Sequence, residues 1–429
     1  MKKTLVFVLA AVMLLSLAAC GGSGGGTAGA GGGGGGGNAG DIQVTIFNTK
    51  SEINSAMEEM AAAYSESHEG VHVEVYMSND TVAAHMATKY ASNDPYVISM
   101  VDAKDIYSLG PEHAIDLSDQ PYVANTSDAI TIDGKVLGVP FCVEARGVIY
   151  NATAIEAITG KDFNPDDYKT LDAFKGLLDE LVAGGMEKPV GIMKEDWSLA
   201  GHLLPETYEM QDDMDAYVEN LRAGNVDLMS DARFNSLMDY FDVMKEYNYA
   251  ASSPVAAERE TSEMMLAEGQ IAFMFGGNWD WAQMASFDYS EKLGMMPVPQ
   301  NTSDDWNTVM MGGGSKYLFV DNAASISDEQ RQAALDFLTW LFTDTEGNKW
   351  LTESFMLVPA YTNIAAANLD PLGAAVNEYF VNGKTVMGYN FLPDDHYSKM
   401  GAEMQKYLAG QCTREELASA IETYWTSLG

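Results

Sequence analysis

A switch in hydrophobic period near residue 50 narrows the choice of fold sharply. Residues 42–46 alternate apolar and polar side chains, as a strand does, whereas residues 51–65 repeat apolar side chains along one helical face. Gly70 ends this unit, and residues 71–77 alternate again. Because a strand, a helix and a strand in succession form a parallel βαβ unit, the sequence predicts a layered α/β fold.

Other local patterns predict where later elements lie. Asp133-Gly134 separates two strand-like runs, which predicts a hairpin turn. Apolar residues at helical spacing predict three helices, at 171–181, 234–247 and 331–342. Thr413 and Glu416 stand three residues apart before a further helical pattern, which is typical of a capping box.

The length of the chain predicts more than one folded unit. Its 429 residues exceed the size at which a single hydrophobic core stops growing, about 250–300 residues. Residues 21–40 are rich in glycine, and no Gly- or Pro-rich linker follows residue 40. Two lobes joined by direct chain crossings, rather than by a flexible linker, are therefore expected.

The charge balance and the motif content exclude several kinds of function. The sequence has 24 Lys and Arg residues against 62 Asp and Glu residues, a formal net charge of −38. Binding to nucleic acid or to an anionic membrane face requires clustered basic residues, so neither is expected. No phosphate-binding glycine loop, Gly-x-Ser-x-Gly motif or His-Glu-x-x-His motif occurs. The sequence therefore predicts no catalytic residue, no cofactor and no metal site.

The first forty residues predict the compartment. Residues 5–19 are an apolar run that is too short to span a membrane and is typical of a secretory signal. The sequence LAAC at 17–20 resembles the lipobox of bacterial lipoproteins. We expect residues 1–19 to be a signal peptide, Cys20 to carry a lipid, and residues 20–40 to tether the protein to the extracellular face of the cytoplasmic membrane. An ordinary signal peptide with an incidental cysteine is the alternative.

Three cysteines are too few for a disulfide framework. Cys142 and Cys412, which lie outside the predicted lipidation site, either pair with each other or remain thiols. Two buried thiols are the expected state.

A loop with two tryptophans around an acid is the clearest candidate for ligand binding. Trp279, Asp280 and Trp281 follow an apolar run at 271–275 and two glycines. Indole faces stack on the apolar faces of sugar rings, and a carboxylate accepts hydrogen bonds from hydroxyl groups. The pattern indicates a sugar-binding loop, and packing of either tryptophan in the core is the alternative.

Four stretches of the sequence carry a family resemblance. They are IFNTKSE at 46–52, DGKVLGVPF at 133–141 with EARGVIYN at 144–151, LAEGQIAFM at 266–274 leading into Gly277-Asn278-Trp279, and Gly312-Gly313 with VPAY at 358–361. In this order, and with a lipobox, they resemble the extracellular solute-binding lipoproteins of family 1, the maltose-binding-like subunits of sugar ABC importers. The resemblance covers roughly residues 41–429.

The resemblance implies a two-lobed α/β fold of the periplasmic-binding-protein type II, with a hinge and a ligand cleft between the lobes. Lobe one would comprise residues 41–143 and 302–360, and lobe two residues 144–301 and 361–429. It also implies a monomeric binding protein, not an enzyme, that captures a mono- or oligosaccharide by lobe closure. The closed form would deliver the sugar to the transmembrane subunits of an ABC permease.

The resemblance also implies where the ligand contacts lie, matched one residue at a time. The predicted ligand-binding residues are Asn48, Lys50 and Glu52 in the first loop, Asp102, Glu144 at the first crossing, Arg146, Trp197, the platform of Trp279, Asp280 and Trp281, and the late aromatics Tyr389 and Phe391. Lys50 and Glu52 have an alternative role, since such a pair also forms near a helix start without any ligand.

Arg146 departs from the family pattern, in which many relatives have an apolar or small residue at this position. It stands two positions after Glu144 in a strand-like run, so the two side chains are expected on the same face. Two roles are open for it, pairing with Glu144 or contact with a charged or N-acetylated sugar.

Other functions fit parts of the sequence. A binding protein for a polyamine is the nearest alternative, because an acid-rich cleft suits a polycation and would bind it in a salt-sensitive way. A surface glycoside hydrolase is a second, since paired carboxylates are numerous. A sensor that signals to a membrane kinase without transport is a third.

Overall fold

The computed structural model describes residues 40–302 and 305–429. The predicted signal peptide, Cys20 and residues 20–39 of the predicted tether lie outside the described residues. Within the described ranges, no helix is both long enough and apolar enough to cross a membrane.

Strands and helices alternate along the described chain, as predicted for an α/β fold. The strands found there are β1 (Ile42–Asn48), β2 (Val71–Tyr76), β3 (Ile98–Val101), β4 (Ile130–Ile132), β5 (Lys135–Asn151), β6 (Val190–Gly191), β7 (Phe273–Gly277), β8 (Leu293–Met296), β9 (Met310–Val320) and β10 (Thr385–Val386). The α-helices found there are α1 (Asn54–Ser67), α2 (Val82–Ala91), α3 (Ala103–His113), α4 (Ala152–Thr159), α5 (Leu171–Ala183), α6 (Glu206–Glu209), α7 (Met214–Arg222), α8 (Ala232–Tyr247), α9 (Arg259–Ala267), α10 (Trp281–Met284), α11 (Asp328–Thr343), α12 (Thr345–Lys349), α13 (Pro371–Val381), α14 (His396–Leu408) and α15 (Arg414–Thr426). Two π-helical segments lie at Trp197–Leu203 and Trp350–Ser354.

The predicted βαβ unit at the start of the folded body is confirmed. β1 and β2 pair in parallel, with Ile42 opposite Val71, and α1 connects them. The buried side chains of α1 share one face and are Met57, Met60, Ala61 and Tyr64. The helical spacing of its apolar residues therefore buries α1 against the sheet, as such spacing does in other layered folds.

One sheet runs through the whole described body in the order β2-β1-β3-β9-β5-β7-β6. β10 adds to β9, and β4 and β8 add to β5. The 17-residue strand β5 pairs with β9 through Val139–Arg146, and with β7 from Arg146 onward. β5 thus connects the two ends of the sheet.

The buried hydrophobic side chains form more than one core. One core packs α1 and α11 against β1 and β3. Another packs α5, α8, α14 and α15 against β6 and β7. A third, smaller core surrounds Phe47, Ile106 and Phe319 beside α3. The described body therefore holds more than one hydrophobic core, as expected for a chain too long to build a single one.

Several local predictions from the sequence are confirmed. Asp133 and Gly134 both have positive φ, +50° and +78°, and turn the chain from β4 into β5. Helices α5, α8 and α11 lie at the three predicted positions. Thr413 and Glu416 form the capping box, in which each backbone N–H donates to the side chain of the other. Cys142 is buried, Cys412 is partly buried, and both are free thiols.

Candidate functional site

A cavity of about 890 Å³ opens where β1, β3 and β7 end and β5 passes beneath. Its size is near the upper end of the range for small-molecule sites, about 300–1,000 Å³. The lining comes from nearly every part of the described chain: the loops after β1 and β3, the middle of β5, the first π-helical segment, α6, α9, the turn after β7, the glycine-rich part of β9, and the segment from Met387 to Tyr397.

The structure brings most of the predicted ligand-binding residues to this cavity. The predicted residues that line it are Glu52, Asp102, Glu144, Arg146, Trp197, Trp279, Asp280 and Tyr389. Asn48, Lys50, Trp281 and Phe391 are not part of the lining. These four occupy positions behind or beside the cavity wall.

Asn48 and Lys50 shape the wall from behind. The buried Asn48 side chain accepts a hydrogen bond from the Lys50 backbone N–H at 2.7 Å and donates to Asn54, which fixes the loop after β1. The Lys50 ammonium donates to Glu52 at 2.6 Å and binds Glu144. The pairing of Lys50 with Glu52 that was left open as an alternative is therefore present, with Glu144 as a further partner.

Both carboxylate oxygens of Glu144 have protein partners. One accepts from Lys50 and the other from the Ser315 hydroxyl of β9. Burial alone would raise the pKa of this carboxyl, but the Lys50 charge and these hydrogen bonds outweigh it and hold the pKa below its usual value. Glu144 is thus an ionised group with a fixed orientation.

Asp102 and Lys316 form a second ion pair on the wall. The Lys316 ammonium, on β9, donates to Asp102 at 2.6 Å. Burial opposes ionisation of Asp102, but Lys316 lowers the pKa of the carboxyl below its usual value. The Asp102 side chain is half exposed and belongs to the cavity lining.

Arg146 does not pair with Glu144. Its guanidinium binds Glu209 of α6, with Glu206 4.0 Å away, and all three groups are largely buried. Burial raises the pKa of both glutamates, that of Glu206 to about 8, although the Arg146 charge acts in the opposite direction. Of the two roles left open for Arg146, pairing with Glu144 is not found, since α6 places a buried carboxylate at the guanidinium.

Arg259 of α9 organises another part of the wall. It binds Asp280 and donates to Glu263 at 3.1 Å. Its guanidinium also lies 4.5 Å from the centre of the Trp197 ring, which is a cation–π contact. Asp280 accepts a further hydrogen bond from the Gly277 N–H, so its two oxygens are engaged by the protein.

Three rings form a row along the cavity. His202 lies between Trp197 and Trp279, with ring centres 5.3 and 4.9 Å apart, respectively. Burial first, and then the charges of Arg146 and Arg259, hold the pKa of His202 well below its usual value, so the imidazole is neutral. The row offers aromatic faces and neutral ring nitrogens rather than a positive charge.

The remaining two predicted aromatics lie outside the lining. Trp281 is buried and contacts the Tyr289 ring edge to face at 5.0 Å, as the core-packing alternative required. Phe391 is exposed and contacts Tyr107 of α3 at 4.6 Å. The two tryptophans of the predicted loop therefore have different surroundings. Trp279 faces the cavity, and Trp281 packs in the core.

Sequence reasoning missed several lining residues, namely His202, Glu209, Arg259, Lys316 and Tyr397. Glu209, Lys316 and Tyr397 lie far along the chain from the residues they contact. No local motif distinguishes any of the five. One sequence signal existed, since Trp197 and His202 are five residues apart and share the face of a π-helical turn. π-Helical segments recur at functional sites.

Comparison with known proteins gives this geometry a context. Residues 59–387 match a family model described as bacterial extracellular solute-binding protein. The melibiose/raffinose/stachyose-binding protein MelE of Bacillus subtilis is 21% identical over 398 residues, which cover 88% of each chain.

Solved structures show the same architecture. The apo form of RafE from Streptococcus pneumoniae superposes with a TM-score of 0.71 at 16% identity, covering 91% of this chain and 99% of that one. A sugar transporter from Bacillus licheniformis, solved in complex with stachyose, superposes with a TM-score of 0.67 at 19% identity, covering 90% of this chain and all of that one. These matches confirm the predicted two-lobed α/β fold.

Proposed function

The chain belongs to the bacterial extracellular solute-binding proteins, and from this premise we propose that it captures a carbohydrate in the cavity and delivers it to the permease of an ABC importer. Members of this family act outside the cytoplasm and bind solutes rather than transform them.

The observation that carries the proposal is the row of Trp197, His202 and Trp279 beside fixed carboxylates. Neutral aromatic faces suit the apolar faces of sugar rings, and ionised carboxylates such as Asp102 accept hydrogen bonds from hydroxyl groups. The cavity volume of about 890 Å³ supports a ligand of more than one sugar ring. The names of two relatives support the same class, since MelE is named for melibiose, raffinose and stachyose and the Bacillus licheniformis protein was solved with stachyose.

The pairing of charges favours a sugar over a polyamine. Glu144, Asp102, Asp280 and Glu209 each already bind a lysine or an arginine of the protein. A polycation would have to displace these partners, whereas a neutral sugar adds hydrogen bonds without disturbing them.

The proposed binding step is closure of two lobes around the sugar. Lobe one would comprise 41–143 and 302–360, and lobe two 144–301 and 361–429. The Val143 N–H donates to the Val358 carbonyl at 2.8 Å, so two of the proposed crossings lie side by side. Ligand shifts such an equilibrium only through contacts that are better in the closed form.

The finer localisation is also part of the proposal. A signal peptide at 1–19, a lipid on Cys20 and a tether at 20–40 would hold the protein, as a monomer, at the extracellular face of the membrane. Expression of the full chain and of Cys20→Ser tests this. Membrane fractionation should find the unaltered chain with the membrane and the variant in the soluble fraction.

Calorimetric titration with melibiose, raffinose and stachyose tests the carbohydrate proposal. We expect at least one of these sugars to bind, and Trp279→Ala to abolish or strongly weaken that binding because it removes a cavity-lining ring. Trp340→Ala is the matched control, because Trp340 contacts Tyr64 and lies outside the lining.

Binding of none of a broad sugar panel, or undiminished binding by Trp279→Ala, would contradict the proposal. Spermidine belongs in the same titration, since salt-sensitive binding of spermidine alone would favour the polyamine alternative. Chromatography of the sugar after incubation would reveal any hydrolysis.

A further inference from the structure

Two glycines allow α14 to approach the first π-helical segment unusually closely. A Cβ atom at Gly401 of α14 would lie 2.5 Å from Cβ of Asp196, the residue that caps the segment. A Cβ atom at Gly201, inside the segment, would lie 2.7 Å from Cζ of Tyr397, in the first turn of α14. The hydroxyl end of the Tyr397 ring therefore rests directly on the Gly201 backbone.

This contact places Tyr397 on the cavity wall. Gly201 and Tyr397 both belong to the lining, together with Trp197 and His202 of the same π-helical segment. The ring position depends on Gly201, because any side chain there would overlap it.

The Tyr397 hydroxyl lies within reach of the charges of two ion pairs of the site. These are the Asp102–Lys316 pair and the Arg146–Glu209 pair. Burial first, and then Asp102, raise the pKa of this phenol to about 12, so the hydroxyl stays protonated and can donate. Among the described residues it has no hydrogen-bond partner, which leaves its donor for a ligand.

We propose that Tyr397 is a specificity-determining residue of the carbohydrate site, that its hydroxyl hydrogen-bonds the sugar, and that Gly201 is the positioning residue for its ring. The inference rests on the proposed function, because it names a residue that would select among sugars in the same cavity.

The hydroxyl and the ring of Tyr397 are expected to affect binding in different ways. Tyr397→Phe keeps the ring and removes one hydrogen bond, so the Kd should rise about two- to tenfold for every sugar that binds. Tyr397→Ala also removes the ring from the wall. We expect it to change the ratio of the raffinose and melibiose Kd values by about fivefold or more, because a site discriminates through the shape of its wall.

A double-mutant cycle tests the role of Gly201. Gly201→Ala should push the Tyr397 ring into the cavity and weaken binding at least as much as Tyr397→Phe does. In the Tyr397→Ala background the same change should have little effect, since no ring remains to be displaced. Gly401→Ala is the matched control on the same packing surface, because the atoms nearest to the added Cβ belong to Asp196. It should lower the midpoint of thermal unfolding and leave the Kd ratio unchanged.

The outcomes separate the inference from the function on which it depends. If the unaltered protein binds no sugar, the proposed function fails and the inference falls with it. If it binds but Tyr397→Ala leaves the Kd ratio within twofold, Tyr397 does not determine specificity. Gly201→Ala could weaken binding equally with and without the Tyr397 ring, or Gly401→Ala could shift the Kd ratio as much as Gly201→Ala does. Either result would show that Gly201 acts through the packing of α14 and not through the Tyr397 ring. Circular dichroism of every variant verifies that each one folds.

Discussion

Lys50, behind the cavity wall, forms an ion pair with Glu144 in the wall, although 94 residues separate them in the chain. The Lys50 side chain is 2% exposed and that of Glu144 11%. A buried charge requires a partner, so this pair ties the loop after β1 to the middle of β5.

Lys50→Met should destabilise the protein. The change removes the cation and leaves Glu144 and Glu52 facing each other in a largely buried place. Breaking such a pair from one side costs about 3–5 kcal/mol of unfolding free energy. Urea unfolding followed by circular dichroism measures this cost.

The double variant Lys50→Met/Glu144→Leu is the control for that prediction. It removes both charges and should lose less stability than the two single changes predict by addition, because no unpaired charge is left between them. Strict additivity would show that the ion pair contributes nothing to stability.

Glu206 should make stability depend on pH. Its folded-state pKa of about 8 is raised above the usual value, so its contribution to stability is fully present below about pH 4.5 and is lost as pH rises towards 8. Glu206→Gln removes this titration and should flatten the decline in unfolding free energy between pH 5 and pH 8. Glu268→Gln, at an exposed position, should leave the profile as it is. An identical decline in Glu206→Gln would contradict the assignment.

Phe391 and Tyr107 should favour a compact form of the protein without touching ligand. Phe391 belongs to the segment between β10 and α14 and contacts α3, and Lys104 and Asp394 lie 3.7 Å apart beside this contact. An aromatic pair is worth about 0.5–1.5 kcal/mol beyond its buried area. Phe391→Ala should therefore weaken sugar binding about two- to tenfold and increase the radius of gyration measured by small-angle X-ray scattering.

Tyr289→Ala is the control for the Phe391 prediction, since Tyr289 is an exposed aromatic residue that contacts Trp281 away from the cavity lining. Tyr289→Ala should change neither the affinity for sugar nor the radius of gyration. Equal effects of the two variants would mean that the Phe391 contact has no special part in closure.

Thr413→Ala should destabilise α15 through loss of its cap. The Thr413 hydroxyl accepts a hydrogen bond from the Glu416 N–H at 3.2 Å. Removing such a cap costs about 0.5–2 kcal/mol, which thermal unfolding detects. Thr426→Ala, near the other end of the same helix, should cost less because its hydroxyl bonds only to backbone carbonyls of preceding turns. A larger effect of Thr426→Ala would contradict the capping argument.

The features that the sequence predicted correctly are local ones. The turn at Asp133-Gly134, the cap at Thr413 and the apolar face of α1 depend on residues a few positions apart, whose conformational preferences act directly on the backbone. The order of strands and helices follows from these signals. The length of the chain predicted two lobes, and the family resemblance identified the type of two-lobed fold.

The partners within the site could not be predicted in this way. Pairing with Glu144, its neighbour in the strand, was one of two roles open for Arg146, but α6 brings Glu209 to it from 63 residues further along the chain. Tyr397 went unnoticed because its place on the wall depends on a glycine in another helix. Such contacts follow from packing between distant segments, which no spacing pattern encodes.

The continuous strand β5 has a mechanical consequence. Arg146 stands opposite Met311 of β9 and opposite Gly277 of β7, so it lies where β5 passes from one neighbouring strand to the other. The closure that we propose rotates one lobe against the other, and this stretch of β5 is one of the crossings whose backbone torsion absorbs that rotation. A sugar that contacts Glu144 or Arg146 therefore acts on the same few residues that have to twist, and no relay of side chains is needed between binding and movement.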